Sequence, residues 1–269
     1  MAVFYDTHAH LAYPELSAEL PDLLRRAHAA GIDRIITIGT DRESSERCVE
    51  LAEQHEELYA AIGWHPSDAT VAPVDIRPFL REWGAHPKVV ALGETGLDYY
   101  RLPGKAVGGN TPEDLKIKER QADLFRQHLE VAAELKLNCV IHTRDSLEDT
   151  LSALKPFSQS VRGVFHCFAN DAAAMQRIVA MNSLVSFTGI LTFKNGQNIR
   201  DTLQATPLGK FMLETDSPYL APVPYRGKRC EPAYALETAK AAAEVKQCSL
   251  DELSQATCDT ARKFFKRLQ

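Results

Sequence analysis

Short apolar runs alternate along this chain with longer segments whose apolar residues recur at helical spacing. Eight runs read as buried strands, over residues 3–7, 34–38, 58–62, 89–93, 138–142, 163–166, 184–187 and 211–214. The stretches between them read as amphipathic helices over 17–30, 43–54, 76–85, 114–135, 146–154, 171–181, 198–205 and 233–245, with a last helix over 249–268. In the first, Leu20, Leu23, Leu24 and Ala27 stand at i, i+3, i+4 and i+7, and Gly31 follows as a C-cap. Ser249 and Glu252 have the spacing of a capping box at the head of the last.

Strands that alternate with helices pair in parallel, since each crossover returns the chain to the same end of the sheet. Eight strand–helix units in 269 residues fit a single (β/α)8 barrel, one domain over residues 1–269, with an open doubly wound sheet as the rival. In such barrels catalytic groups project from the C-terminal ends of the strands. The polar residues that end each apolar run therefore become the candidates.

Composition changes this picture little. Hydrophobic residues make up 45% and charged residues 25%, and the net charge of -5 argues against a broad basic nucleic-acid surface. It leaves room for an enzyme that meets phosphates through metal ions and a few cations. No run approaches the ~20 apolar residues of a membrane span, and Asp6, His8 and His10 interrupt any leader-like start. The six cysteines form no CxxC pair, which reads as reduced thiols in a cytoplasmic protein. No helix carries a continuous heptad, so a monomer is expected.

Six strand-end residues are metal-ligand types. His8 and His10 close the first run. Glu94 closes the fourth, His142 the fifth, His166 the sixth and Asp216 the eighth. Side chains at i and i+2 of a strand share a face, so the two imidazoles of His8-Ala9-His10 leave it together. Any one of these residues has a bland reading as a hydrogen-bonded His or a capping carboxylate. Six at matching places on separate strands read as a metal site. Imidazole and carboxylate without thiolate suit Zn, Mn, Fe, Co or Ni, with Mg at a carboxylate-rich position. Four His and two carboxylates exceed the need of one catalytic ion with an open position. Two divalent ions sharing a bridging carboxylate fit better, with Glu94 on a middle strand as the bridge. Such a pair clamps both oxygens of a phosphoryl displacement and activates water.

The motifs around these residues are Asp6-Thr-His8-Ala-His10-Leu, Gly63-Trp-His65-Pro66, Gly93-Glu94-Thr-Gly96-Leu97-Asp98-Tyr99-Tyr100, His142-Thr-Arg144-Asp145, His166-Cys-Phe168, Glu214-Thr-Asp216-Ser-Pro218-Tyr219 and Arg226-Gly-Lys228-Arg229-Cys-Glu231-Pro232. In this order they resemble the TatD family of metal-dependent deoxyribonucleases, among the amidohydrolase-like barrels. The resemblance implies a (β/α)8 fold and hydrolysis of phosphodiester bonds in DNA, exonucleolytic on single strands or ends, with Mg, Mn or Zn. It implies His8, His10, Glu94, His142, His166 and Asp216 as ligands. One ion would take His8, His10, Glu94 and Asp216, and the other Glu94, His142 and His166. Asp216 is also a candidate base. The alternative is an amidohydrolase acting on an amide, or on an ester such as aminoacyl-tRNA. Many of that broader group bridge their metals with a carboxylated Lys, and no strand-end Lys presents itself here.

Further candidates surround the mouth. His65 is either a strand-end histidine held by a backbone carbonyl or, as the resemblance favours, a substrate contact that assists proton transfer. Arg144 could fork onto a phosphate or pair with Asp145 or Glu214. Arg226, Lys228 and Arg229 are either a solvated basic loop or a phosphate contact. Asp6 and Glu214 are expected to fix His tautomers. Cys230 and Cys139 stand where the family commonly has Asn and Pro. Residues 102–112, with Gly104, Gly108, Gly109 and Asn110, read as a flexible insertion, either a lid or a segment without a role.

Overall fold

The computed structural model describes residues 2–107 and 110–269. Its strands are β1 (Phe4–Ala9), β2 (Ile32–Ile38), β3 (Leu58–Ile62), β4 (Val89–Asp98), β5 (Asn138–Arg144), β6 (Gly163–Phe165), β7 (Leu184–Phe187) and β8 (Phe211–Leu213). They pair in parallel and in chain order around a TIM barrel. The connecting helices are α1 (Pro14–Ser17), α2 (Leu20–Ala29), α3 (Arg42–Gln54), α4 (Arg77–Gly84), α5 (Pro112–Leu135), α6 (Leu147–Leu154), α7 (Ala172–Ala180), α8 (Gln197–Ala205), α9 (Ala235–Lys246) and α10 (Leu250–Phe264). The ring closes at its mouth rather than along a full ladder. The Asp216 N–H donates to the His8 carbonyl at 2.9 Å, and the His10 N–H to the Ser217 carbonyl at 2.8 Å. This closure sets two predicted ligands side by side with a third.

Alternation along the strands divides the apolar residues into two shells. Ile36 and Ile38, Tyr59 and Ala61, Val90, Val140, Val164, Leu184 and Met212 fill the barrel interior. Phe264, Phe265 and Leu268 join them as the floor. The other face of the strands, including Phe4, Ile35 and Leu92, packs on helix residues such as Leu24, Phe125 and Leu129. With the floor sealed, the polar chemistry is confined to the opposite end.

Three boundaries differ from the sequence expectation. The helix expected over 17–30 begins only at Leu20, because Pro21 lacks an N–H and is accommodated in the first turn of α2, and the short helix α1 precedes it. Strand β4 runs on to Asp98, five residues beyond its expected end. Gly93 (φ 142°) and Gly96 (φ 134°) allow this, since a Cβ there would meet the Val140 carbonyl oxygen at 2.4 Å and the His142 carbonyl oxygen at 2.1 Å. The insertion over 102–112 contains a 3₁₀ turn at Pro103–Val107. Thr111 and Asp114 then form a capping box that opens α5 at Pro112. Gly108 and Gly109 of that insertion lie outside the described residues. Among the described residues, no helix is long and apolar enough to cross a membrane.

Candidate metal centre

The strand ends open into a cavity of about 540 Å³, lined by His10, His65, Glu94, His142, His166 and Asp216 among others. His8 lies just beneath, fully buried. All six predicted ligands therefore converge. Their inner atoms crowd together: His8 Nε2 stands 3.3 Å from His10 Nε2, and His142 Nδ1 stands 3.3 Å from His166 Nε2. Two nitrogens bound to one ion at about 2.05 Å with a tetrahedral angle stand about 3.4 Å apart. Lone pairs facing one another at this separation match a site built for cations.

Glu94 sits between the two groups. Its Oε2 is 3.4 Å from His8 Nε2 and 3.8 Å from His10 Nε2. Its Oε1 is 2.8 Å from His166 Nε2, 3.0 Å from His142 Nδ1 and 3.4 Å from His65 Nε2. Asp216 completes the first group, with Oδ1 at 3.6 Å from His8 Nε2 and 3.4 Å from His10 Nε2. Its backbone is left-handed at φ 60°, a conformation Asp tolerates better than most residues.

The outer nitrogens assign the tautomers. His10 Nδ1–H donates to the Ile38 carbonyl at 3.3 Å, and His142 Nε2–H donates to Asp98 Oδ2 at 3.1 Å. Each leaves a lone pair on the inner nitrogen, as ligation requires. His8 Nδ1 and His166 Nδ1 are both buried without a hydrogen-bond partner, Glu214 Oε1 lying 3.7 Å from the latter. His65 is the reverse case. Its Nδ1 accepts the Ser67 N–H at 3.1 Å, so the neutral ring carries its proton on Nε2, toward the cavity. Position alone groups His65 with Glu94 and His142 as a ligand. Its hydrogen bonding instead makes it a donor.

Charge in the cluster is polarised. Burial opposes ionisation of Glu94, yet His166, His65 and His142 hold it well below the usual carboxylate range. Burial likewise opposes charge on His166, yet Glu94 and Glu214 hold it well above the ordinary imidazole value. His8 is pushed down by burial and by His166. A bound cation would take over the balancing of these carboxylates.

Other sequence candidates are placed differently. Arg144 lines the cavity, with its guanidinium 3.7 Å from the centre of the Tyr100 ring. Arg229 does not line it. Its guanidinium is taken up by the Glu15 carbonyl and the Glu19 carboxylate, so the expected phosphate contact is replaced by a tether to α1 and α2. Beside it Arg26 grips Glu231 with contacts of 2.8 and 2.7 Å. Glu214 faces His166 Nδ1 at 3.7 Å, too far for the tautomer-fixing hydrogen bond expected of it, because its Oε1 is taken by the Cys167 N–H at 2.6 Å. Asp6 touches no imidazole ring. It accepts from the Thr215 N–H at 2.9 Å, the Thr215 hydroxyl at 2.6 Å and the His8 N–H at 3.3 Å, stitching β1 to the segment after β8. Cys230 is buried under the Pro218 turn, away from the cavity lining, and Cys139 is buried in β5.

Two contributors were given no role from sequence. Asp98 orients His142. His128, buried on α5, accepts the Trp64 N–H at 3.1 Å through Nε2, while its Nδ1 lies 2.7 Å from the Leu124 carbonyl and 3.0 Å from the Thr95 hydroxyl. It thereby braces the residue before His65 against the residue after Glu94. Burial pushes this ring down from 6.5 to about 4. The unfolded chain protonates it first as pH falls, so the folded state loses about 2 kcal/mol between pH 7 and pH 5 from this group. Urea midpoints of wild type and His128→Gln should therefore diverge in slope across that window. Parallel profiles would contradict the buried neutral ring.

Fold and site together define a metal-dependent hydrolase barrel. Residues 5–266 match the family described as TatD related DNase, and the chain belongs to the TatD family. It is 36% identical over 265 residues to the metal-dependent hydrolase YabD of Bacillus subtilis, covering 98% of this chain and 99% of that one. It is 34% identical over 264 residues to the metal-dependent hydrolase YcfH of Escherichia coli, covering 97% and 94%. The crystal structure of YJJV, a TatD homologue from Escherichia coli, superposes with a TM-score of 0.85 at 28% identity, covering 98% of each chain.

Proposed function

We propose that this chain is a two-metal phosphodiesterase acting on DNA, at single strands or ends. The carrying observation is the division of Glu94, whose two oxygens face two separate sets of imidazole nitrogens. One ion would be held by His8, His10, Glu94 and Asp216, and the other by Glu94, His142 and His166. When bound, two such ions, whether Mg, Mn or Zn, supply an activated water and charge stabilisation for both oxygens of the displacement.

The chain's own residues do the rest. Asp98 and the Ile38 carbonyl fix two ligand rings. Asp216 is the base, its carboxylate standing at the mouth beside His8 and His10. His65 presents its Nε2 proton to a phosphate oxygen or to the leaving oxygen. Arg144, seated on Tyr100, meets the phosphate. The family's nuclease description and these phosphate-compatible donors support the reading.

The test is cleavage of a single-stranded oligonucleotide by metal-stripped protein given Mg, Mn or Zn in turn. Cleavage restored by metal, and absent in His8→Ala/His10→Ala, is the expected result. No cleavage with any ion would move the substrate to a carbonyl ester or amide.

A further inference from the structure

The two sides of the cavity differ in chemistry. In a ring of eight strands in chain order, the β8/β1 seam lies across from β4 and β5. The β4/β5 side contributes Arg101 and Arg144 to the lining. The seam side contributes Tyr13, Tyr219 and Leu220. Tyr13 lies nearly parallel to the His10 ring, with centroids 4.9 Å apart and planes at 10°. Tyr219 meets His10 edge-on at 6.2 Å. It is 52% exposed, so about half of the residue faces solvent at the mouth. Its backbone is fixed to the site, because the Tyr219 N–H donates to the Asp216 carbonyl at 2.8 Å and the Cys230 N–H holds Pro218 at 2.9 Å.

An exposed aromatic ring on a rigid turn, beside a candidate ligand and opposite a pair of guanidinium groups, has the parts of a single-strand nucleotide subsite. Bases stack on aromatic side chains whatever their identity, while cations follow the backbone. We propose that Tyr219, backed by Tyr13, is the stacking platform for the nucleobase beside the scissile phosphate, and that Arg101 and Arg144 across the cavity take the neighbouring backbone phosphate. This rests on the nuclease reading above and adds to it a requirement for the base itself. The requirement is for the presence of a base and not for its sequence.

The test compares two oligonucleotides of equal length with the metal-loaded protein. One is intact, and the other carries tetrahydrofuran abasic units at the two terminal positions of each end. Wild type should favour the intact strand in kcat/KM by about 10-fold, within the range of one base–aromatic stack. Tyr219→Ala should bring the ratio close to unity, and Tyr219→Phe, which keeps the ring, should retain it. An unchanged ratio in Tyr219→Ala, with both strands still cleaved, would overturn the platform and leave the nuclease reading standing. Failure of wild type to cleave either strand with Mg, Mn or Zn would overturn both.

Discussion

Replacing Glu94 with Gln is expected to cut turnover by about 10³-fold or more and to lower the metal content below two ions per chain. The substitution preserves volume and removes only the negative charge. That charge faces nitrogens on both sides, so its loss weakens both halves of the centre at once. A metal pair contributes several kcal/mol of charge stabilisation in the transition state, and each 1.36 kcal/mol is about tenfold in rate. Elemental analysis after dialysis, alongside a cleavage assay, measures both effects. A Gln variant with full metal content and wild-type turnover would remove Glu94 from the bridging position.

Asp98→Ala is expected to weaken metal binding by about 10–100-fold with little change in fold, as loss of a ligand-orienting carboxylate does elsewhere. Asp98 Oδ2 takes the outer proton of His142. Its Oδ1 takes the Tyr100 N–H at 2.9 Å, which anchors the backbone that leads into Arg101. Without the carboxylate, the His142 ring is free to turn and to change tautomer. Asp98→Asn keeps an acceptor oxygen and should recover part of the loss. Calorimetric titration of stripped protein with Mn would show this, and equal affinities for Asp98→Ala and wild type would contradict it.

Much of this architecture was readable from the sequence because barrel physics writes itself into periodicity. Each apolar run is a strand, and the polar residue that ends it sits at the mouth. His8, His10, Glu94, His142, His166 and Asp216 could therefore be named before their distances were known. The stretch after Glu94 was not readable in the same way. Thr95-Gly96-Leu97-Asp98 has the composition of a turn, and its strand conformation depends on two glycines that let β4 press against β5. That close approach is what brings Asp98 to His142.

His128 left a signal that went unused: a histidine on a helix face otherwise buried with Leu124, Leu129 and Val131. Its partners Trp64 and Thr95 come from the segment after β3 and from β4, so its role depends on tertiary packing. Arg229 shows the limit of position as evidence. A basic loop after β8 does lie near the mouth, but the direction of this side chain is set by Glu15 and Glu19 on the far side of the sequence. Those acids belong to the short α1–α2 corner, where the sequence pattern suggested no helix before residue 17.

The claim on which the functional reading depends is that Glu94 joins two ions in one centre. Titration of metal-stripped protein with Mn, followed by electron paramagnetic resonance, tests it most directly. Two ions per chain, magnetically coupled as expected for a pair ~3.5–4 Å apart sharing a carboxylate, is the anticipated result. A single ion per chain, or two without coupling, would contradict the account.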